Sequence, residues 1–380
     1  MEQDFPPGPL AVYLHIPFCL SRCGYCSFFS APFSIRAKTG YLKLLHREID
    51  LFCNAKPELV WAASIYFGGG TPSLLNPDEV NALCGRFQKA PEAEITLEIN
   101  PLQITENYLT QLGQTPVNRL SIGVQSLDDA DLRYLERRHH SAQIPDKIKL
   151  CREFGYVNLS LDLIYGLPGS DQDSLRRNLE RFLALNPEHL SAYLLTLDEE
   201  SALGRKLRHG EAPELPGEDN LAAQYAVLRQ TMLDAGYEHY EISNFCRPGR
   251  ASCHNLAYWT GQPYLGLGAA AAGFLPPRRY TNPASMEAYA RQIMQGTFMP
   301  HAQICDAEHL RKDYLMMGLR LTDGIDLAEY RERFGCDLAD EKNKEITRLS
   351  QLGLLELAGT RLRLSSAALF VSNSVIGELL

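Results

Sequence analysis

Six apolar runs of strand character punctuate the first half of the chain. They are AVYLHI (11–16), ASIYFGGG (63–70), EITLEIN (94–100), NRLSIGVQS (118–126), VNLSLDLIYGLPG (157–169) and HLSAYLLTL (189–197). Their starts lie roughly 25 to 50 residues apart, and the spacers carry apolar residues at helical period. KTGYLKLLHREIDLF sets Tyr41, Leu44, Leu45, Ile49 and Phe52 on one stripe. DQDSLRRNLERFLAL opens with Asp and Ser as capping residues and turns Leu175, Leu179, Phe182, Leu183 and Leu185 inward. Strand–helix alternation repeated six times predicts parallel strands joined by crossover helices. The expected fold class is α/β, a partial, TIM-like (β/α)6 barrel. Glycine-rich or polar stretches (GGGTP, EINP, GVQS, GLPG) close several of the runs, and in barrel-like α/β folds that rim carries the chemistry.

The pattern changes near residue 200. RHGEAPELPGEDN (208–220) reads as a connection, followed by a helix over 221–235 and a further strand in YEHYEISNF. GLGAAAAGF is glycine- and alanine-rich. From about 306 the chain reads as helical, and LGLLELAGTRLRLSSAALFVSNSVIGELL predicts a hairpin flanked by helices, a winged-helix-like tail. The expected division is a core domain over 1–235, an extension over 236–305 and a C-terminal domain over 306–380, the last two forming an α+β region.

Apolar residues make up 45% of the 380 and charged residues 22%, enough for a sizeable core without disulfides. The net charge of −9 argues against a general nucleic-acid binder. The opening MEQDFPPGPLAV lacks a basic start and a long apolar run, and no segment nears the ~18 apolar residues of a membrane span. The expectation is a cytoplasmic chain without a signal peptide.

Ten cysteines in such a chain are not a disulfide set. Seven are scattered, but Cys19, Cys23 and Cys26 follow the first strand as C-x3-C-x2-C. Pro17 ends that strand, and Gly24 lets the loop curl so that the three thiols can converge. Cysteine-only ligation without a fourth partner fits an iron–sulfur cube better than structural zinc. Three thiolates leave one iron open to a small molecule. Around the same rim, GGGTP exposes backbone to a close ligand, Glu98 can accept from hydroxyls or an ammonium, and Tyr25 offers a face to an aromatic base.

A cysteine triad after the first strand and GGGTP after the second resemble the radical S-adenosylmethionine (SAM) superfamily. YLHIPFC, FGGGTPS, EINP, RLSIGVQS and DLIYGLPG resemble, more narrowly, the oxygen-independent coproporphyrinogen III oxidase-like family and its branch of heme chaperones, over nearly the whole chain. The resemblance implies a barrel of radical SAM type, a [4Fe–4S] cluster on Cys19, Cys23 and Cys26, and SAM on its open iron. In the superfamily one electron from the cluster cleaves SAM to a 5′-deoxyadenosyl radical. It also implies SAM contacts from Tyr13, Tyr25, Gly69, Gly70, Thr71, Glu98, Gln125, Arg137 and Asp162. In the oxidase Gly70, Thr71 and the last three face a second SAM.

Two departures favour the chaperone branch. Phe28 stands where the oxidase has a fourth loop cysteine, and only 18 residues precede Cys19. CHNLAYW (253–259) holds H-N-x-x-Y-W, associated with heme binding in that branch. A histidine can ligate heme iron, so the expected heme residues are His254 as ligand, Asn255 holding its second nitrogen, and Tyr258 and Trp259 against the porphyrin. Cys253 is an alternative ligand. The implied function is transfer of heme to apo-hemoproteins such as respiratory enzymes, with docking at the inner face of a membrane and a homodimer both open. The alternatives are coproporphyrinogen III dehydrogenase and a radical SAM enzyme of unrelated substrate.

Overall fold

The computed structural model describes residues 8–199 and 201–380; residues 1–7, read above as lacking a signal peptide, lie outside them. All six expected strands form: Leu10–Ile16, Trp61–Gly69, Gln88–Ile99, Arg119–Gln125, Leu159–Tyr165 and His189–Leu194. They pair side by side, parallel and in chain order. Leu10–Ile16 and Leu159–Tyr165 are buried at all but one position and Arg119–Gln125 at all but two, as a sheet covered on both faces requires. The crossover helices present the expected stripes: Ile35–Ala55 buries Tyr41, Leu45, Ile49 and Phe52, and Gln172–Ala184 buries Leu175, Leu179 and Phe182. The latter starts at a reciprocal cap in which Asp171 accepts from the Ser174 N–H and the Ser174 hydroxyl accepts from the Asp171 N–H.

The barrel does not close. Its six strands lie inside one open sheet of twelve. Beyond the sixth strand, YEHYEISNF folds as two short antiparallel strands, Glu238–Glu241 and Asn244–Cys246. Beyond the first, the alanine- and glycine-rich segment supplies Tyr264–Leu267, parallel to Leu10–Ile16, then antiparallel Ala272–Leu275 and Arg278–Thr281. The glycines here admit close backbone contact: a Cβ on Gly266 would lie 1.9 Å from the Ala272 carbonyl oxygen. The C-terminal hairpin Leu355–Ala358/Arg361–Leu364 gains a third strand from Ile325–Asp326 and is flanked by helices Asn343–Gln351 and Ser372–Gly377. Among the described residues no helix is long and apolar enough to cross a membrane.

One buried carboxylate clamps the seam where this added sheet meets the barrel. Glu48, on the helix Ile35–Ala55, is wholly buried. It accepts from the Gly268 N–H at 2.7 Å, Asn282 Nδ2 at 2.6 Å and the Tyr289 hydroxyl at 2.7 Å. These donors favour the ionised form, but burial outweighs them and pushes the carboxyl from 4.5 up to about 7. The folded chain therefore binds this proton more tightly than the unfolded one. The contribution is full below the unfolded value of about 4.5 and is lost as pH rises to about 7. Thermal melting of Glu48→Gln should lose that component of the decline over this interval; a pH profile unchanged from the parent contradicts the assignment.

Candidate functional site

The C-terminal ends of the parallel strands surround a cavity of about 500 Å³. The cysteine loop forms one side. Cys19, Cys23 and Cys26 all line the cavity as free thiols, and the loop is closed by the Cys26 N–H on the Cys23 carbonyl at 3.1 Å. His15 anchors it from the first strand, through Nε2 on the Phe29 carbonyl at 3.1 Å. The glycine turn is sewn to the same segment: Gly70 N–H donates to the Ile16 carbonyl and Thr71 N–H to the Phe18 carbonyl, both at 2.8 Å. A Cβ on Gly70 would meet the Phe18 and Pro17 carbonyl oxygens at 2.7 and 2.9 Å, backbone that cannot swing aside. Gly70→Ala should therefore destabilise the fold by ~1–3 kcal/mol and displace the cysteine loop. Reduced iron uptake on reconstitution together with a lower melting temperature checks this; full uptake at an unchanged melting temperature contradicts it.

Electrostatics around the thiols are specific. Burial raises the Cys19 and Cys26 thiols above their ordinary value. The Thr71 hydroxyl donates to Cys19 Sγ and the Arg137 guanidinium to Cys23 Sγ, each at 3.7 Å. Among the described residues no three His, Cys, Asp or Glu side chains gather closely enough to hold a metal ion.

Opposite the thiols stand the carboxylates. Glu98 accepts from the Tyr66 hydroxyl at 3.0 Å and the Gly69 N–H at 3.2 Å. Burial, then the nearby Asp162, pushes it up to about 8. Burial takes Asp162 to about 6 against the pull of Arg119 and hydrogen bonds from Ser121 and Ser191. Gln125 sits at φ 70, a conformation costly for a side chain bearing a Cβ and typical of functional strain. Tyr25, Gly69, Gly70, Thr71, Glu98, Gln125, Arg137 and Asp162 all line this one cavity.

Other expected residues are placed differently. Tyr13 lines a separate, smaller cavity and gives its hydroxyl to His15 Nδ1 at 3.0 Å. His254 is buried, with Nδ1 on the Ser64 hydroxyl at 2.9 Å and Nε2 on the Tyr258 hydroxyl at 2.8 Å. Burial, aided by Arg119, lowers it to about 3 and keeps it neutral. Both nitrogens are engaged and the ring borders neither of the two cavities, so in this conformation it is not presented to heme iron. Asn255 does not hold that imidazole; it lines the cysteine-rimmed cavity, while Tyr258 and Trp259 line the smaller one. The short helix Cys253–Trp259 is a partition between the two cavities. Cys253 on it is exposed and lines neither.

Three side chains of the main cavity escaped the sequence reading. Arg119 is 2% exposed, lies 3.8 Å from Glu94 and has no hydrogen-bond partner for Nε among the described residues. Tyr66 and Ser191 face the same space. The available signal was a charged residue opening the otherwise apolar RLSIGV.

An open parallel barrel with a cysteine triad and glycine turn at its C-terminal rim is a radical SAM fold, and the model of the Radical SAM superfamily matches residues 13–182. The chain belongs to the HemW family within that superfamily, whose membership implies a [4Fe–4S] cluster and SAM. The heme chaperone HemW of Mycobacterium tuberculosis is 33% identical over 99% of this chain and 96% of its own length. That of Lactococcus lactis is 30% identical over 98% and 97%. The HemN C-terminal domain model matches residues 306–371. Coproporphyrinogen III oxidase (HemN) from Escherichia coli, 23% identical, shares the fold with a TM-score of 0.84 over 98% of this chain and 91% of its own.

Proposed function

We propose that the chain is a heme carrier that passes heme to apo-hemoproteins, built on a radical SAM fold. The observation that carries this reading is the similarity to heme chaperones along nearly the full length. Phe28 supports it. The side chain is 66% exposed at the mouth of the main cavity, at the place of the oxidase's extra loop cysteine.

In this reading Cys19, Cys23 and Cys26 hold a [4Fe–4S] cluster, with Arg137 offsetting thiolate charge. The rim residues Tyr25, Gly69, Gly70, Thr71, Glu98, Gln125 and Asp162 orient SAM. The cluster with SAM supplies one-electron chemistry when bound. Glu98, pushed up to about 8, changes protonation above Asp162 at about 6, so the grip on a cationic ligand should strengthen as pH rises through about 8. Equilibrium binding of SAM to the reconstituted chain between pH 6.5 and 9 measures this, and Glu98→Gln should flatten the profile. A flat profile in the unsubstituted chain contradicts the role.

Heme transfer tests the function itself. The reconstituted chain, loaded with heme, is mixed with apomyoglobin and the acceptor spectrum followed. Transfer faster than from albumin-bound heme is expected; heme retained by the chain, or delivered no faster than from albumin, contradicts it.

A further inference from the structure

The second cavity, of about 330 Å³, shares only Tyr13 with the expected SAM contacts. It lies between the partition helix Cys253–Trp259, the antiparallel strands Ala272–Leu275 and Arg278–Thr281, and the helix Ala307–Gly318. Its size falls within the range of small-molecule sites. The lining is aromatic to an unusual degree, with Tyr13, Tyr258, Trp259, Tyr264, Phe274 and Tyr314. Such walls suit a large flat apolar ring.

The polar groups are few. Arg279 is held by Asp313 at 3.1 and 2.8 Å and lies over the Phe274 ring. Arg333 stacks on Tyr314 and Phe334 at 5.4 and 5.6 Å and makes no ion pair among the described residues. Asp313 is already matched by Arg279, which leaves Arg333 as the uncompensated cation for an acidic substituent. Met317, half-buried, brings a thioether to the same space, and methionine is a recurrent axial ligand of heme iron. A flat ring, a carboxylate partner and a soft donor together describe an iron tetrapyrrole. The main cavity instead has the cysteine triad on one side and a mixed set of charges, with both carboxylates and arginines in its lining.

We propose that heme occupies this second cavity, with Met317 as the donor facing the iron and Arg333 meeting a propionate, while His254 is a structural part of the wall. This rests on the heme-carrier reading above. The wall then explains four members of H-N-x-x-Y-W without an imidazole–iron bond. Asn255 faces the cysteine-rimmed cavity, Tyr258 and Trp259 face the heme, and His254 bonds Tyr258 to Ser64 on the second barrel strand. Rings connect the two sides: Tyr66, bonded to Glu98, stacks on His254 at 5.0 Å, and His254 meets Tyr258 at 5.0 Å.

The test is titration of the full chain with hemin, followed by Soret absorbance, with folding of each variant checked by circular dichroism. Met317→Trp should fill the cavity and weaken binding by at least about tenfold, or ~1.4 kcal/mol. Met317→Leu should shift the Soret band by removing the thioether, and Arg333→Gln, which removes the cation together with its stacking on Tyr314 and Phe334, should weaken binding severalfold, with Arg333→Lys, which keeps the charge, retaining more of it. His254→Gln should leave the Soret position of the complex unchanged. Met317→Trp and Arg333→Gln variants that bind as tightly as the parent overturn the cavity assignment, as does a Soret shift confined to His254→Gln. A parent chain that binds no hemin overturns the heme-carrier reading itself, a distinguishable failure.

Discussion

Replacing Glu48 with alanine should lower the stability of the folded chain by at least ~3 kcal/mol. The substitution leaves three donors, the Gly268 N–H, Asn282 Nδ2 and the Tyr289 hydroxyl, without their acceptor in a site closed to water. Each buried unmade hydrogen bond costs about 1–3 kcal/mol, and the vacated volume adds a packing loss. Neighbours cannot readily compensate. Tyr41, the nearest alternative, already donates to the His15 carbonyl at 2.7 Å and accepts from the Ala269 N–H at 3.1 Å. The damage should concentrate at the seam between the barrel's first helix and the added strands, and amide exchange at Leu265–Ala271 should accelerate most. Glu180→Ala, at an exposed position, is the control and should move the melting temperature little. Equal melting temperatures for the two variants would contradict the clamp.

Alanine at any one of Cys19, Cys23 or Cys26 should abolish stable iron–sulfur loading. Two thiolates leave two irons of a cube without protein ligands, where the three-thiol site leaves one. The thiols also have to shed protons that burial holds on Cys19 and Cys26, a step the metal drives by taking the proton's place. Cys305→Ser, remote from the rim, should load normally. So should substitutions at Cys84, Cys151 and Cys246, which are buried with thiols pushed up to about 12. Iron and sulfide analysis after anaerobic reconstitution, with the visible spectrum, reads this directly. Full loading of a single variant would exclude the three-thiol site.

The strands and helices of the barrel were legible because each is apolar at its own period and bounded by turn or cap residues. AVYLHI, ending at Pro17, and DQDSL, with its reciprocal Asp171–Ser174 cap, are examples. The cysteine rim was legible because local spacing and strand ends determine it. The strand Tyr264–Leu267 was not, because its sequence is rich in glycine and it pairs with a strand some 250 residues earlier. Local pattern carries no record of such a partner. Glu48 is hidden for the same reason, since its donors come from residues more than 200 positions away. The H-N-x-x-Y-W motif shows a further limit. Its residue types are those of a heme site, but helical geometry sends Asn255 to one cavity, Tyr258 and Trp259 to another, and closes His254 between them.

The central claim, that a radical SAM fold here carries heme rather than making porphyrin, meets its most direct test in one anaerobic sample. The reconstituted chain, with cluster and SAM, is given coproporphyrinogen III and a reductant, and the products are separated after oxidation to porphyrins. The account predicts recovery of the starting tetracarboxylate alone, from a preparation that still binds hemin. Conversion to protoporphyrinogen IX would contradict it and make the chain an oxidase.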